Sequence, residues 1–411
     1  MRKDWKEIEM VDACEVLTCG VASTPKYVDE SVGVPFLSAQ NVKNGEVVLH
    51  KYNYISQAFH EHLTKKNKPR KGDILYSRVG AKYGEAGVVE HDFEFSVYVS
   101  VTLMRPKAEL FDIYYFKYYL NSPRIKNLAK KSIQSSGVPN LNVKVVRGFP
   151  IPIPPLAEQK QIVEILDEAF AAIDQAKANI EKNIQNAKEL FQSKLSDIFS
   201  QKGAGWEEKT LGEVCNLIKR GIAPKYIEEV GLVVINQKCI RDHKINLERA
   251  RNHNLILKAV NPERLIKLGD VLVNSTGTGT LGRVAQVREK AHEGCTVDTH
   301  VTIVRPIEGL FFNEFFGYAL IKIEKQITEG GDGASGQTEL SRLKLEKEFK
   351  ICFPTDHKLQ KQYVNQLDSL KVKSLKIQDQ YLRKLENLEE LKKVILQKAF
   401  SGELTYKMAE V

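Results

Sequence analysis

The strongest constraint on this sequence is a repeat, because the second half restates the order of motifs of the first half about 200 residues later. The matched pairs are Trp5 and Trp206, Gly72-Asp73-Ile74-Leu75 and Gly269-Asp270-Val271-Leu272, Arg105-Pro106 and Arg305-Pro306, Ser136-Gly137 and Ser335-Gly336, Gln159-Lys160-Gln161-Ile162-Val163 and Gln360-Lys361-Gln362-Tyr363-Val364, and Phe199-Ser200 and Phe400-Ser401. The separation varies from 197 to 201 residues, which is typical of insertions and deletions in surface loops. The 411 residues therefore form two similar units, each large enough to bury a core.

Each half ends in an amphipathic stretch with the period of an α-helix. In the first half, ten successive steps between apolar side chains sum to 36 residues, a mean of 3.6. The stripe comprises Ile162, Leu166, Ala169, Ile173, Ala176, Ile180, Ile184, Ala187, Phe191, Leu195 and Ile198. The equivalent positions of the second half are Tyr363, Leu367, Leu370, Ser374, Ile377, Tyr381, Leu385, Leu388, Lys392, Leu396 and Ala399. We expect Ser374 to weaken this second stripe, and Leu391 and Ile395 to continue it at Lys392.

The two helices are predicted at 157–201 and 357–402, since Pro154 and Pro155 precede the first and Pro354 precedes the second. A helix of about 44 residues is about 66 Å long at 1.5 Å per residue, which exceeds the width of a domain of this size. The stripe of each helix is therefore expected to pack on the other, as an antiparallel coiled coil with a globular unit near each end. The alternative is two separate helices, each packed only on its own unit.

The segments before the helices have mixed character. Residues 97–104 and 300–304 have the short apolar runs of strands, whereas 111–120 and 312–320 have the pattern of short helices. The predicted fold class is α+β, with two tandem α/β domains and two long helices in a pseudo-twofold repeat. The predicted boundaries are a first domain at 1–156, a first spacer helix at 157–201, a second domain at 202–356, a second spacer helix at 357–402 and a C-terminal tail at 403–411.

Composition limits the possible functions. The 61 Lys and Arg against 52 Asp and Glu give a net charge of +9, which permits a nucleic-acid partner without requiring one. Apolar runs are far shorter than the ~20 residues that span a bilayer, and no signal peptide is expected from the N-terminal residues, which have no apolar core. The six cysteines include no Cys-x-x-Cys pair, which is typical of reduced thiols in a cytoplasmic protein. His60-Glu61-His62 lacks the i, i+4 spacing of a zinc pair, so no metal site is predicted.

Three motifs resemble those of the specificity subunit of Type I restriction-modification systems. They are Gly72-Asp73-Ile74-Leu75-Tyr76-Ser77-Arg78-Val79-Gly80, Ser135-Ser136-Gly137-Val138-Pro139-Asn140-Leu141-Asn142, and the Pro-rich join Phe149-Pro150-Ile151-Pro152-Ile153-Pro154-Pro155-Leu156-Ala157-Glu158-Gln159-Lys160-Gln161-Ile162. The resemblance covers essentially the whole chain, because both halves have the same order of features. The second half departs from it, since Phe353-Pro354-Thr355-Asp356-His357 lacks the Pro-rich join and Asn274-Ser275-Thr276-Gly277 replaces Ser77-Arg78-Val79-Gly80.

The resemblance implies that each globular unit is a target recognition domain that reads one half of a split site in double-stranded DNA. It implies that the helices set the spacing and dock two modification (methyltransferase) subunits and the restriction and translocase subunits. Catalysis, with S-adenosylmethionine, Mg and ATP, would belong to those partners. This chain would carry no catalytic residue, metal or cofactor of its own and would lie in the cytoplasm. In agreement, the sequence has no Gly-x-x-x-x-Gly-Lys-[Ser/Thr] loop and no Asn-Pro-Pro-Tyr-type methyltransferase motif.

The candidate DNA contacts are loop residues whose side chains can read base edges in the major groove. They are Gln40, Asn41, Lys43, Ser77, Arg78, Lys82, Tyr83, Ser136, Gly137, Asn236, Gln237, Lys238, Asn274, Ser275, Thr278, Ser335 and Gln337. Arg78 is expected to bind a guanine with two hydrogen bonds. A separate basic cluster, namely Lys65, Lys66, Lys68, Arg70 and Lys71, suits phosphate contacts. For each residue the alternative is an ordinary solvated loop.

The sequence is also compatible with two other functions, a dinucleotide-binding enzyme and a protein-binding scaffold. Gly277, Gly279 and Gly282 follow an apolar run and precede Asp298, which is the outline of a dinucleotide-binding motif. The residues after Gly282 alternate like a strand where that motif needs a helix, so a tight loop between two strands is favoured. The second alternative is a coiled-coil scaffold that binds proteins only. If the chain does read DNA, its two unlike units imply an asymmetric bipartite target with half-sites about one turn, roughly 34 Å, apart.

Overall fold

The computed structural model describes residue 2 and residues 4–21, 25–133, 138–201, 203–332 and 338–406. Contacts between residues divide the chain into two units. Unit one comprises Met1–Glu181 and Leu382–Val411, and unit two comprises Lys182–Tyr381. Each unit therefore contains one globular domain and part of each of the two long helices. Within the described ranges, no helix is long and apolar enough to cross a membrane.

Unit one contains two four-stranded sheets. Its strands are β1 (Lys6–Glu9), β2 (Cys14–Cys19), β3 (Tyr27–Val28), β4 (Gly33–Leu37), β5 (Val42–Lys43), β6 (Glu46–Val47), β7 (Asn53–Ser56), β8 (Ile74–Ser77), β9 (Ala86–Val88), β10 (Ser96–Val97), β11 (Val101–Pro106) and β12 (Pro150–Ile153). One sheet is antiparallel with the order β2-β11-β8-β9, and the other has the order β10-β4-β7-β3 with a parallel pair at β10 and β4. The pairs β1-β12 and β5-β6 are separate. The apolar run predicted as one strand at 97–104 is thus divided between β10 and β11, which belong to different sheets.

Unit two repeats this arrangement. Its strands are β13 (Trp206–Thr210), β14 (Cys215–Arg220), β15 (Tyr226–Ile227), β16 (Leu232–Ile235), β17 (Ile240–Arg241), β18 (Lys244–Ile245), β19 (Arg251–His253), β20 (Val271–Asn274), β21 (Val284–Gln286), β22 (Thr296–Val297), β23 (Val301–Pro306) and β24 (Lys350–Pro354). The antiparallel sheet has the order β14-β23-β20-β21, and the mixed sheet has the order β15-β19-β16-β22. The pairs β13-β24 and β17-β18 match β1-β12 and β5-β6. The predicted tandem repeat is therefore confirmed at the level of strand order.

The shorter helices differ between the units. They are α1 (Gln57–Thr64), α2 (Ile113–Leu120), α3 (Pro123–Lys131) and α4 (Val143–Arg147) in unit one, and α6 (Leu211–Val214), α7 (Asn313–Glu329) and α8 (Arg342–Lys347) in unit two. The prediction for 312–320 was too short, because α7 continues to Glu329. In unit one Pro123 cannot continue α2, and the Ser122 side chain caps a new helix. Unit two has no proline at the corresponding place.

The long helices are α5 (Leu156–Phe199) and α9 (His357–Ser401), whose ends lie within two residues of the predicted ones. In unit one the beginning of α5 packs antiparallel on the end of α9, since Asp174 pairs with Lys392 (3.9 Å) and Lys177 with Glu389 (2.5 Å). In unit two the end of α5 packs antiparallel on the beginning of α9. The alternative of separate helices is therefore wrong. Residues 403–406, predicted as tail, form a final short helix, α10 (Glu403–Tyr406).

The two irregular positions of the second stripe are both used for packing. The Ser374 side chain is buried and donates a hydrogen bond to the Ala187 carbonyl of α5 (2.7 Å). Lys392 is half-buried, with its ammonium 4.4 Å from the centre of the Phe170 ring. Leu391 is 45% exposed, so the expectation that it continues the stripe is wrong, whereas Ile395 packs on the core. A lysine stem can cover apolar surface while its charge stays near water.

The repeated Gly-Asp and Arg-Pro motifs form the same buried ion pair in each unit. Arg105 at the end of β11 donates to both carboxylate oxygens of Asp73 (2.7 and 2.9 Å). Arg305 at the end of β23 binds Asp270 in the same way (2.8 Å for both contacts). Both aspartates are 1% exposed. This two-pronged geometry fixes the strand ends, because the planar guanidinium matches the carboxylate.

The repeated glutamine at the start of each long helix connects the helix to its domain. The Gln159 side chain accepts from the Asp112 amide (2.8 Å) and donates to the Leu110 and Pro154 carbonyls (2.8 and 2.9 Å). Gln360 makes the equivalent contacts in unit two. Both side chains are fully buried. The helices are thus held at their first turn by specific polar contacts as well as by the apolar stripe.

Candidate nucleic-acid interface

Three loops meet in unit one at one end of its antiparallel sheet. They are 38–44 after β4, 78–85 after β8 and 138–141 before α4. The Gly80 amide donates to the Pro139 carbonyl (3.1 Å), and the Leu141 amide donates to the Arg78 carbonyl (2.9 Å). The Asn44 amide donates to the Glu85 carboxylate (2.7 Å), which joins the first loop to the second. The structure therefore brings together segments that lie about 100 residues apart in sequence.

Unit two has the same arrangement of three loops, at 236–239, 275–283 and 338–340. The Leu340 amide donates to the Ser275 carbonyl (2.8 Å), as Leu141 does to Arg78 in unit one. The Thr280 hydroxyl donates to the Gln237 side-chain oxygen (3.2 Å), so the first and second loops are again in contact. We define these two groups of loops as recognition surface one and recognition surface two.

On recognition surface one, four of the predicted DNA contacts are exposed or half-exposed. Gln40 is exposed, although its amide donates to the Lys51 carbonyl (2.9 Å). Lys82 is exposed at the tip of the second loop, next to the half-buried Tyr83. Lys43 is half-buried in the β5-β6 hairpin. Among the described residues that were predicted to contact DNA on this surface, these four side chains are accessible from solvent.

Three other predicted contacts on this surface, Asn41, Ser77 and Arg78, are withdrawn from solvent and serve the fold. Asn41 is fully buried and bonds to the Ser38 amide and the Val48 carbonyl (both 3.0 Å). Ser77 is buried and closes the second loop by accepting from the Glu85 amide (3.0 Å). The prediction that these side chains read bases is therefore corrected, because their hydrogen-bonding groups are already satisfied inside the domain.

The structure also corrects the prediction that Arg78 binds a guanine. Its side chain is 6% exposed, and it donates to the Val99 carbonyl (2.6 and 3.2 Å) and the Leu141 carbonyl (2.8 Å). Burial lowers the pKa of the Arg78 guanidinium, which nevertheless stays charged at neutral pH. A guanidinium bound in this way does not present its fork to a guanine edge. Its sequence position after a strand gave no sign that the side chain turns inward.

On recognition surface two, some of the predicted contacts are likewise exposed and others are buried. Lys238 and Thr278 are exposed at the tips of the first and second loops, and Gln237 is half-buried between them. Asn236 caps a short turn by accepting from the Lys238 amide (2.9 Å) and donates to the Arg249 carbonyl (2.7 Å). Asn274 and Ser275 are buried at the sheet end, so the prediction that they contact bases is also corrected. Ser136, Gly137, Ser335 and Gln337 lie outside the described residues.

The predicted phosphate-binding cluster lies after α1 in unit one. All five of its side chains, Lys65, Lys66, Lys68, Arg70 and Lys71, are exposed. Lys68 forms an ion pair with Glu94, which reduces the local positive charge. The remaining cations form a basic surface that could interact with a polyanion.

The glycine-rich loop of unit two joins two paired strands. Gly277, Gly279 and Gly282 have left-handed backbone angles and connect β20 to β21, which pair antiparallel. A dinucleotide site requires a helix directly after such glycines, so this geometry does not support one. At Gly282 a side chain would collide with Thr328 of α7, which explains this glycine by close packing. Among the described residues, no group of three or more His, Cys, Asp or Glu is arranged to hold a metal ion.

A cleft in unit two, and the hydrogen bond beside it, were not predicted from the sequence. A cleft of about 540 Å³ lies between the β17-β18 hairpin and α7, and Asp242 and His243 at the hairpin tip both have left-handed backbone angles (φ 52° and 57°). The His243 ring bonds to the Glu324 carboxylate of α7 (2.8 Å). Residues 81 positions apart form this contact, so no local pattern could have revealed it.

Comparison with known proteins matches both halves of the chain to the same family. A family model described as "Type I restriction modification DNA specificity domain" matches residues 2–186 and again residues 203–395. Two relatives are the Type I restriction enzyme EcoBI specificity subunit of Escherichia coli and the EcoKI specificity subunit of Escherichia coli strain K12. The first is 25% identical over 200 residues, 48% of this chain and 41% of that subunit. The second is 23% identical over 399 residues, 90% of this chain and 82% of that subunit.

The lengths of these matches differ. The chain spans about half or less of the length of the first relatives that it matches, at 50% and 41%. A solved chain, from work titled "Structural basis underlying complex assembly and conformational transition of the type I R-M system", has a TM-score of 0.77 at 18% identity. That match covers 98% of this chain and 99% of the solved chain, and it shows a common fold.

Proposed function

Since the chain belongs to the Type I restriction modification DNA specificity family, with one family domain in each half, we propose that it reads a bipartite DNA target for a restriction-modification enzyme. The observation that carries this proposal is the pair of recognition surfaces. Both are built from three loops on the same buried framework, yet their exposed side chains differ. A repeated framework with unlike loop tips suits one binding mode applied to two different sequences.

The exposed residues suggest how each half-site would be distinguished. Lys82 and Tyr83 on surface one correspond in the repeat to Gly279 and Thr280 on surface two, and Gln40 corresponds to Lys238. Lysine and glutamine side chains present different hydrogen-bonding groups to base edges in the major groove. We therefore propose that the two half-sites differ in sequence, which makes the whole target asymmetric.

Partner subunits would dock on the long helices, whose outer faces retain apolar side chains. Val372 is 66% exposed, Leu190 58% and Val394 45%. In unit two Leu190 lines a groove of about 780 Å³ together with Lys194, Lys358, Lys361 and Lys373. Exposed apolar surface rimmed by polar residues is typical of protein interfaces. We assign the methyltransferase, nuclease and translocase activities, with their S-adenosylmethionine, Mg and ATP, to these partners, and the assembled enzyme to the cytoplasm.

The main test lengthens the helices. Four residues are inserted after Asn183 of α5 and four after its counterpart Lys384 of α9, adding about 6 Å to each helix at 1.5 Å per residue. If the helices set the spacing, the unread spacer of the DNA target grows by about two base pairs, at 3.4 Å each, and both half-sites stay the same. Methylation mapping of DNA modified by the assembled enzyme measures this directly. An unchanged spacer would contradict the proposal.

Two controls accompany this experiment. Insertion after Asn183 alone disturbs the pairing of α5 with α9, so it should reduce modification without defining a new spacer. A gel-shift titration of the assembled enzyme tests the alternative of a protein-only scaffold. Binding through phosphate contacts should weaken steeply with salt, whereas a scaffold without DNA readout would give no shift at any salt concentration.

A further inference from the structure

In each unit a guanidinium holds the backbone of the third loop at the end of the antiparallel sheet. In unit one, Arg78 Nη1 donates to the Leu141 carbonyl (2.8 Å). In unit two, Arg220 Nη2 donates to the Leu340 carbonyl (2.7 Å). Leu141 and Leu340 are equivalent, because their amides bond to the residue that follows β8 and β20, respectively. The same carbonyl is therefore bound by an arginine in both units.

The two arginines come from different strands. Arg78 directly follows β8, and its counterpart in unit two is Ser275 after β20. Arg220 is the last residue of β14, and its counterpart at the end of β2 is Cys19, since Cys19 lies opposite Thr102 as Arg220 lies opposite Thr302. Gly20 and Gly221 confirm this alignment, because a side chain at either would come within 1.9 Å of an equivalent valine carbonyl.

The surroundings of the two arginines differ in a correlated way. Where Arg78 is replaced by Ser275, the serine hydroxyl bonds to the Thr302 hydroxyl (2.5 Å). The equivalent Thr102 hydroxyl of unit one is buried and has no hydrogen-bond partner in the described part of the chain. Arg220 also forms an ion pair with Glu339, where unit one has Asn140. Three positions therefore differ between the units as a group: Cys19, Arg78 and Asn140 of unit one correspond to Arg220, Ser275 and Glu339 of unit two.

We propose that Arg78 and Arg220 are positioning residues that hold the third loop of each recognition surface at the end of the antiparallel sheet, and that either strand can supply the guanidinium. The contact is a property of each unit by itself. Its effect on DNA reading rests on the proposed function, because only that function gives the loops a ligand. In this view the base preference of unit one depends on Arg78 through the loops, although Arg78 touches no base.

The first test exchanges the arginine between strands within unit one. Arg78→Ser removes the guanidinium, and the triple variant Cys19→Arg, Arg78→Ser, Asn140→Glu supplies it from β2 in the manner of unit two. Hydrogen exchange is measured on the full chain. We expect the Leu141 and Gly80 amides to exchange at least tenfold faster in Arg78→Ser, and within threefold of the original rate in the triple variant. Amides of unit two should not change.

The second test uses the assembled enzyme and its DNA preference. Arg78→Ser should relax the preference in one half-site at least fivefold, and the triple variant should restore the original preference. Recovery of loop protection without recovery of the base preference would show that Arg78 itself reads the base, and would overturn the proposal. Failure of the triple variant to restore either property would overturn it as well.

These readouts separate the inference from the proposed function. If the original enzyme has no DNA preference but the hydrogen exchange follows the expected pattern, the proposed function fails and the positioning contact is supported. Should Arg78→Ser not fold, the same comparison is made in unit two, where Arg220 has a side chain that is 28% exposed. There Arg220→Cys is expected to loosen Leu340, and Arg220→Cys with Ser275→Arg is expected to restore it.

Discussion

The two units of this protein agree in their buried polar contacts and differ at their loop tips. The ion pair of Asp73 with Arg105 recurs as Asp270 with Arg305, with the same pattern of two hydrogen bonds. By contrast, the hairpin turn is Asn44-Gly45 in unit one and Asp242-His243 in unit two. All four turn residues have left-handed backbone angles, so the backbone is retained while the side chains change. The comparison shows that the framework restricts backbone geometry and leaves the loop surface open to variation.

The largest effect that can test this equivalence is loss of the buried ion pair. Asp73→Asn and Asp270→Asn each leave a largely buried guanidinium without its counter-charge, so each should lower the free energy of unfolding of its unit by about 3 kcal/mol. Urea denaturation of both variants measures this loss. Glu329→Gln is a matched control, because its partner Lys325 is 87% exposed and such surface pairs contribute little. A loss in only one unit would break the equivalence.

Loss of either buried glutamine should have a smaller effect on stability, and this effect should differ between the two. Gln159→Ala and Gln360→Ala leave backbone groups unpaired at the start of α5 and α9, at a cost of about 2 kcal/mol each. The contact with the Leu110 carbonyl is 2.8 Å, whereas that with Leu310 is 3.5 Å, so the loss should be larger for Gln159. Thermal unfolding of the full chain tests the order, with the exposed Gln161→Ala as control. The reverse order would refute this interpretation of the distances.

The smallest expected effect concerns pH and is confined to unit two. Asp298 is 4% exposed, and burial raises its pKa above the usual 3.8, although the His300 amide opposes the shift. The folded state therefore holds this proton more tightly than the unfolded state, so the stability from Asp298 is complete below pH 3.8 and is lost as pH rises through the raised pKa. Asp298→Asn should remove this dependence and slightly stabilise unit two at pH 7. Unit one has Tyr98 at this place.

Denaturation midpoints of the Asp298→Asn variant between pH 3 and pH 8 measure this effect. The stability difference between variant and original should be largest at neutral pH and should shrink on acidification. Tyr98→Phe in unit one is the control, since it changes the equivalent position without adding or removing a carboxyl group. A stability difference that is independent of pH would show that the carboxyl group of Asp298 is not responsible.

Much of the architecture could be predicted because its signals are local. The stripe from Ile162 to Ile198 has the helical period, and the structure buries or half-buries every one of its positions. The helix boundaries, the repeat and the α+β class followed from such patterns. The continuation of α7 to Glu329 was missed, although the absence of a proline equivalent to Pro123 was visible in the sequence.

The candidate site was much less predictable. Arg78 and Lys82 are both cations in the same loop region, yet one is 6% exposed and the other lies at the surface. The difference arises from the Val99 and Leu141 carbonyls, which lie 21 and 63 residues from Arg78 and accept its hydrogen bonds. Sequence spacing carries no information about such partners. Residue type alone therefore overestimated the set of polar side chains that are exposed on the loops.

The sequence by itself determined that this protein has two related halves and two long helices, because a hydrophobic period and a repeat are properties of neighbouring residues. Only the tertiary structure decided which polar residues point outward and which strand supplies the arginine to the third loop. A buried polar side chain is stable only where partners complete its hydrogen bonds, and here those partners come from other strands and loops.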